Sequence, residues 1–161
     1  MLRASEPRDL PAIDAGIHDP DVIRWVGPTE GSAIDLLAVN RQRWASGSPT
    51  LSICERDGEC VGLVWLNVRE ADQTTGSVGY WLLPSARGRG IATRAVRLLS
   101  GWAAGDLGVT NLRLTTEPEN ERSRRVAERS GFRQTGVLRH SATIDGRWIY
   151  QVVYELVSEG E

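Results

Sequence analysis

The stretch Arg87–Leu99, RGRGIATRAVRLL, places two glycines and two arginines ahead of an apolar-periodic run. Counting from Ile91, residues Ala95, Leu98, Leu99 and Trp102 fall at i+4, i+7, i+8 and i+11, the spacing of one buried helical face. A helix does not need glycine at its start, whereas a loop that brings its backbone close to something does. Just upstream, TGSVGYWLLP is rich in β-branched and aromatic residues and stops at Pro84, which reads as a strand. The context is therefore strand, tight loop, helix. It has two readings. In one, the glycines serve turn geometry and the arginines solubility. In the other, the loop is a phosphate cradle, where glycine amides converge on an anion and the helix N-terminus adds its positive dipole end.

Working outward, LRA near the start reads as a first strand, and EPRDLPAIDAGIHDPDVIRWV as one or two short helices interrupted at Pro20. GSAIDLLAVNRQRWASG has Ile34, Leu37, Ala38, Arg41 and Trp44 near helical spacing and ends in a Ser-Gly stop. PTLSICERDGECVGLVWLNVRE reads as a hairpin about Asp57-Gly58. A two-residue turn there pairs Cys54 with Val61 and Glu55 with Cys60, so the two cysteines face opposite sides and a disulfide is disfavoured. Beyond the cradle helix, VTNLRLTTE is a strand and PENERSRRVAERSG a helix that stops at Gly131. The tail reads as two long strands about a second Asp-Gly turn, at Asp145-Gly146. The order predicts an α/β (α+β) domain with a mixed sheet, occupying residues 1–161 as one unit.

Composition excludes several chemistries. All 19 basic residues are arginine, which removes Schiff-base lysines, a pyridoxal-phosphate anchor and a P-loop lysine. Two cysteines and two histidines are too few for a Cys/His structural zinc site, and no metal is expected. The net charge of −2 argues against a general nucleic-acid binder. No apolar run approaches the ~20 residues of a membrane span, and MLRASEPRDL lacks an apolar signal core, so a cytoplasmic protein is expected. Among phosphate ligands, a dinucleotide fingerprint is disfavoured because Thr93 stands where the third glycine belongs.

The residues then carry a resemblance. RGRGIA fits the R/Q-x-x-G-x-G/A pattern of the GNAT superfamily of acyl-CoA-dependent N-acetyltransferases, with Ala92 in the last place. NLRLTTEPENERSRRVAERSGF and GYWLLP resemble its RimJ/RimL-like branch. The likeness spans about Val61 to Leu156, with a looser fit over the N-terminal helices. It implies a mostly antiparallel twisted sheet of six to seven strands, flanked by about four helices and splayed at the central strands. It also implies acetyl transfer from acetyl-CoA to a primary amine, on a protein N-terminus or a small molecule, by direct attack in a ternary complex. A homodimer is carried as the candidate assembly.

By the same resemblance, the amides of Arg87, Gly88, Arg89, Gly90, Ile91, Ala92 and Thr93 wrap the pyrophosphate of coenzyme A. The side chains of Arg87 and Arg89 add attraction; Arg122, Arg124, Arg125 and Arg129 read as a solvated helix face, with Arg125 or Arg89 as the alternative phosphate neighbour. Trp81, Leu82 and Leu83 accompany the pantetheine arm, Asn120 meets its amides, and Ser123 lies near the thioester sulfur as candidate acid. Two departures stand out. Ala127 occupies the place where many relatives have a tyrosine, and Ser77 the place of a strand glutamate, so no base is assigned; Glu117 reads as a turn residue. A non-catalytic acyl-CoA sensor is the alternative.

Overall fold

The computed structural model describes residues 1–69, 71–144 and 147–157, with the side chains of 140–147 outside that description. The strands are β1 (Leu2–Ala4), β2 (Thr50–Cys54), β3 (Cys60–Arg69), β4 (Asp72–Leu82), β5 (Asn111–Thr116), β6 (Arg133–Ile144) and β7 (Arg147–Val157). The α-helices are α1 (Leu10–Ile17), α2 (Pro20–Trp25), α3 (Ala33–Ala45), α4 (Ile91–Asp106) and α5 (Glu121–Arg129). The strands form one seven-stranded sheet in the order β1-β2-β3-β4-β5-β7-β6. Every pairing is antiparallel except β4 with β5. None of the described helices is long and apolar enough to cross a membrane.

That parallel pairing is short. It joins Thr75, Gly76 and Ser77 to Asn111, Leu112 and Arg113 and then stops. Beyond it, β4 stays paired with β3 up to Leu82, while β5 stays paired with β7 up to Thr116. The sheet therefore opens in its middle, as the expected splay requires.

Alternation along β3 and β4 feeds two cores. Val64, Leu66, Val78 and Leu82 face α4 and α5, where they meet Val96, Leu99 and Ala127. Leu63 and Trp81 face the other way, onto Ile13, Ile17, Val22 and Ala33 of the N-terminal helices. The outer edge of the Trp81 ring abuts Gly16, where a Cβ would overlap it. Gly16→Ala is therefore expected to cost about 1–3 kcal/mol by overpacking, read as a lowered chemical-denaturation midpoint.

The N-terminal helices begin as their caps dictate. Pro20 opens α2, and the Asp19 side chain accepts from Val22 N at 3.0 Å, so the break falls just before the proline. Underneath, a polar knot ties β1 to β2. Asp9, 1% exposed, takes two 2.7 Å hydrogen bonds from the Arg3 guanidinium, one from Ser52 Oγ at 2.8 Å and one from Glu6 N at 2.9 Å.

Three local expectations need correction. Cys54 pairs with Cys60, not Val61. Glu55 N bonds Glu59 O, Gly58 N bonds Glu55 O, and Gly58 sits at φ +87°, so the connection is a three-residue loop ending in a left-handed glycine. The one-residue change in register puts the two thiols side by side; both are free, and burial pushes both thiol pKa values up. On α3 the inward face is Ala33, Leu37 and Asn40, with Arg43 rather than Arg41 turned in, and Ile34 is exposed. Trp44 leaves the face to stack on Trp102 with ring centroids 5.9 Å apart. On α4 the stripe runs through Ala92, Ala95, Val96, Leu99 and Ala103, and Leu98 is 56% exposed. The expected turn at Asp145-Gly146 lies outside the described residues.

Candidate functional site

The loop after β4 is built to leave amides unoccupied. Leu83-Pro84 ends the strand, Ala86 is fully buried, and Arg87 is extended. Gly88 and Gly90 then take φ values of +74° and +71°, a region that side chains with a Cβ avoid. A Cβ on Gly88 would meet nothing within 4 Å, so the space beside the loop is open. Helix α4 starts at Ile91 with no side chain capping its N-terminus. Its first amides and dipole therefore face that space.

The two loop arginines are held by carboxylates. Arg87 donates through Nε to Leu82 O at 3.0 Å and through its other nitrogens to Asp19 and Asp21 at 2.5 and 2.8 Å. Burial works to raise the Asp19 pKa, but the bonds from Arg87 and the Val22 amide outweigh it and hold the carboxyl below its ordinary value. Arg87 thus pins α2 to the loop. Arg89 grips Glu55 bidentately at 2.6 and 3.1 Å on the surface. Arg125 pairs with Glu121 one turn away and is well exposed.

From the loop a cleft of about 940 Å³ runs along the gap between β4 and β5. Leu83 N–H donates to Val61 O at 2.8 Å, so Leu83 and, by alternation, Trp81 direct their backbone groups toward β3. Tyr80 and Leu82 direct theirs into the gap. Of the three strand residues expected beside a pantetheine arm, Leu82 is the one whose backbone turns that way, and its carbonyl is already engaged by Arg87. Trp81 sends its side chain into the N-terminal core instead.

Across the gap, α5 begins with Asn120, whose Oδ1 accepts from Ser123 N at 3.1 Å. Both residues line the cleft. Asn120 is thus a helix cap in this structure, with its side-chain nitrogen left over for other use. Ala127 is fully buried in the core, so that position on α5 has no access to the cleft. The sequence reading missed Tyr80. Its side chain points toward α5, and its hydroxyl donates to Ser123 Oγ at 3.2 Å. Burial pushes the Tyr80 pKa up, which keeps the phenol protonated. Strand alternation through GYW was the available signal, since Tyr80 must face opposite to Trp81.

The far part of the cleft is aromatic and neutral, with Trp25, Trp65, Asn67, Ser77 and Gln151 on its walls. Asn67 Nδ2 donates to Ser77 Oγ at 3.4 Å. Glu117 is 6% exposed and bound by Arg24 at 2.7 and 3.2 Å; the same guanidinium lies 4.2 Å over the Trp25 ring. Glu117 therefore anchors α2 to the end of β5. Among the described residues, Asp21 is the one carboxylate lining the cleft, and Arg87 neutralises it.

A cleft between splayed strands, closed at one end by a glycine loop and a bare helix N-terminus, suits a long phosphorylated ligand with an extended arm. Residues 1–133 match the family model described as "Acetyltransferase (GNAT) domain", and the chain belongs to that family. Its relatives place it further, on the RimJ/RimL-like branch. Over 108 residues it is 32% identical to YdaF of Bacillus subtilis (strain 168), named as a ribosomal N-acetyltransferase, covering 65% of this chain and 59% of that protein. It is 26% identical over 148 residues to the spermidine N(1)-acetyltransferase of Escherichia coli (strain K12), covering 91% of this chain and 80% of that one. The solved structure of Mycobacterium smegmatis RimJ in complex with CoA-disulfide superposes with a TM-score of 0.85 at 26% identity, over 98% of this chain and 81% of that chain. The chain spans little more than half the length of the Bacillus subtilis relatives it matches.

Proposed function

We propose that this protein transfers the acetyl group of acetyl-CoA to a primary amine, both substrates being held together in the cleft. The observation that carries this reading is the gap between β4 and β5, which leads from the glycine loop to Ser123. The pyrophosphate would lie on the amides of residues 88–93, the Arg87 amide being already bonded to Pro84 O at 3.2 Å. The pantetheine arm would run along the gap, with the backbone of Tyr80 and Leu82 on one side and Asn120 on the other, in the manner of an added strand. A backbone N–H turned into the gap would polarise the thioester carbonyl, and Ser123 Oγ would lie by the sulfur. Fixing amine and thioester in line supplies much of the rate. The attacking nitrogen loses its proton to solvent, because Ser77 stands where a glutamate base would be and Glu117 is bound to Arg24.

The acceptor end favours a peptide N-terminal amine over a polyamine. A polyamine keeps further positive charges after one amine is placed, and those need unpaired carboxylates. The described walls offer aromatic rings, amides and hydroxyls instead. Acetyl transfer should be measured with acetyl-CoA against short peptides that begin in Ala or Ser and against spermidine. We expect kcat/KM for the best peptide to exceed that for spermidine by about tenfold or more, the worth of one unmatched charge. Preference for spermidine would overturn the acceptor assignment. Binding of coenzyme A without turnover on any amine would leave an acyl-CoA-binding module.

A further inference from the structure

We propose that Tyr80 is a positioning residue, whose hydroxyl turns the Ser123 O–H toward the leaving sulfur; this rests on the acetyl-transfer reading above. The geometry is specific. Tyr80 on β4 and Ser123 on α5 stand on opposite walls of the gap, and both line the cleft. The phenol O–H donates to Ser123 Oγ at 3.2 Å, across 43 residues of sequence. Ser123 is fixed from the other side as well, since its amide is capped by Asn120 Oδ1 at 3.1 Å. A serine hydroxyl has one hydrogen and can rotate it freely. Once Oγ accepts from Tyr80, that hydrogen is directed away from the phenol, and the cleft is the space that remains.

The chemistry balances without moving a proton off either side chain. The amine nitrogen bonds to the acetyl carbon, the C–S bond breaks, and its electron pair leaves on sulfur as a thiolate. The nitrogen sheds one proton to solvent. Ser123 O–H donates a hydrogen bond to the sulfur as its charge grows. An ordinary thiol titrates near ~8.5 and a phenol near ~10, and burial raises Tyr80 further, so transfer from Tyr80 to the thiolate runs uphill. Tyr80 therefore works as an oriented donor and not as the acid. This also accounts for Ala127: the aromatic hydroxyl approaches the thioester region from the strand, not from α5.

The test compares Tyr80→Phe, Ser123→Ala and the double variant. Phenylalanine keeps the packing of the ring. Each single variant should lower kcat about tenfold, the worth of a hydrogen bond to a charged group, with KM for acetyl-CoA and thermal stabilisation by coenzyme A unchanged. The double variant should be no slower than Ser123→Ala, because the two groups act as one unit. A second readout needs no acceptor: the ultraviolet thiolate absorbance of bound coenzyme A at fixed pH, against desulfo-coenzyme A, should fall in both single variants. Multiplicative losses in the double variant, or unchanged turnover and thiolate fraction in Tyr80→Phe, would overturn the role of Tyr80 and leave acetyl transfer standing. Failure of the wild-type protein to bind coenzyme A would overturn both.

Discussion

Gly90→Val is expected to abolish the thermal stabilisation that coenzyme A gives the wild-type protein. At about 100 times its dissociation constant a ligand adds about 2.7 kcal/mol, or roughly 5–10 °C for a domain of this size. Valine acts on the site in two ways. Its branched side chain would stand beside the bare N-terminus of α4, between the amides and their anion. It would also have to adopt φ +71°, which costs a non-glycine residue about 1–2 kcal/mol. The unliganded protein should therefore melt earlier as well, so a control must carry the same strain elsewhere. Gly108, at φ +69° with nothing within 4 Å of a built Cβ, lies at the opposite end of α4. Gly108→Val should lose comparable stability and keep the full response to coenzyme A. Equal responses from the two variants would remove the loop from the binding site.

Arg3→Met should destabilise the protein by about 3 kcal/mol at neutral pH, the low end for breaking a buried ion pair because Ser52 and the Glu6 amide remain on Asp9. The pH dependence carries the sign. In the wild-type protein, burial works to raise the Asp9 pKa, but the bidentate bond from Arg3, the Glu6 amide and Ser52 outweigh it and hold it below the ordinary value. The folded state thus prefers the carboxylate more than the unfolded chain does. That stabilisation is complete above the unfolded pKa of about 3.9 and is lost as pH falls through the lowered folded value. Without Arg3 the strongest bond opposing burial is gone, the folded pKa moves up, and the variant loses less stability than the wild type as pH falls through the acid range. Urea denaturation of both proteins across that range should show the gap closing. A constant gap would mean that Arg3 contributes packing and not charge.

The loop and its flanking elements were legible because the signals are local. Pro84 stops a strand, Gly88 and Gly90 permit left-handed backbone, and the apolar spacing after Ile91 marks a helix. What escaped was set by distant partners. Asp19, Asp21 and Glu55 come from other elements to hold Arg87 and Arg89, and no spacing within the loop reveals them. Two arginines beside a glycine loop look free in sequence and are bound in space. The hairpin at Asp57-Gly58 was misregistered because the Asp-Gly pair also ends a three-residue loop, in which glycine alone is left-handed. Leu98 and Trp44 were misplaced because hydrophobicity fixed the period of each helix but not the direction of its inward face. On α4 the close approach to the sheet is taken by Ala92, Ala95 and Ala103, small residues that weigh little in a hydrophobic pattern. Tyr80 is the converse case: its facing was implied by alternation, but its partner Ser123 is set by how α5 docks.

The short pairing of β4 with β5 also bears on cooperativity. A sheet that ceases to pair at its centre has four edges rather than two, and two of them confront each other inside the molecule. Strands β1–β4 with the N-terminal helices form one hydrogen-bonded block, and β5–β7 form another. Three residue pairs, α4 with the core it shares between them, the Tyr80–Ser123 hydrogen bond and the Arg24–Glu117 bridge link the blocks. Unfolding units tend to follow such boundaries. An extended ligand arm bonded along the seam would act as a removable strand that joins the two blocks into one cooperative unit, so occupancy of the cleft would set how the whole sheet comes apart.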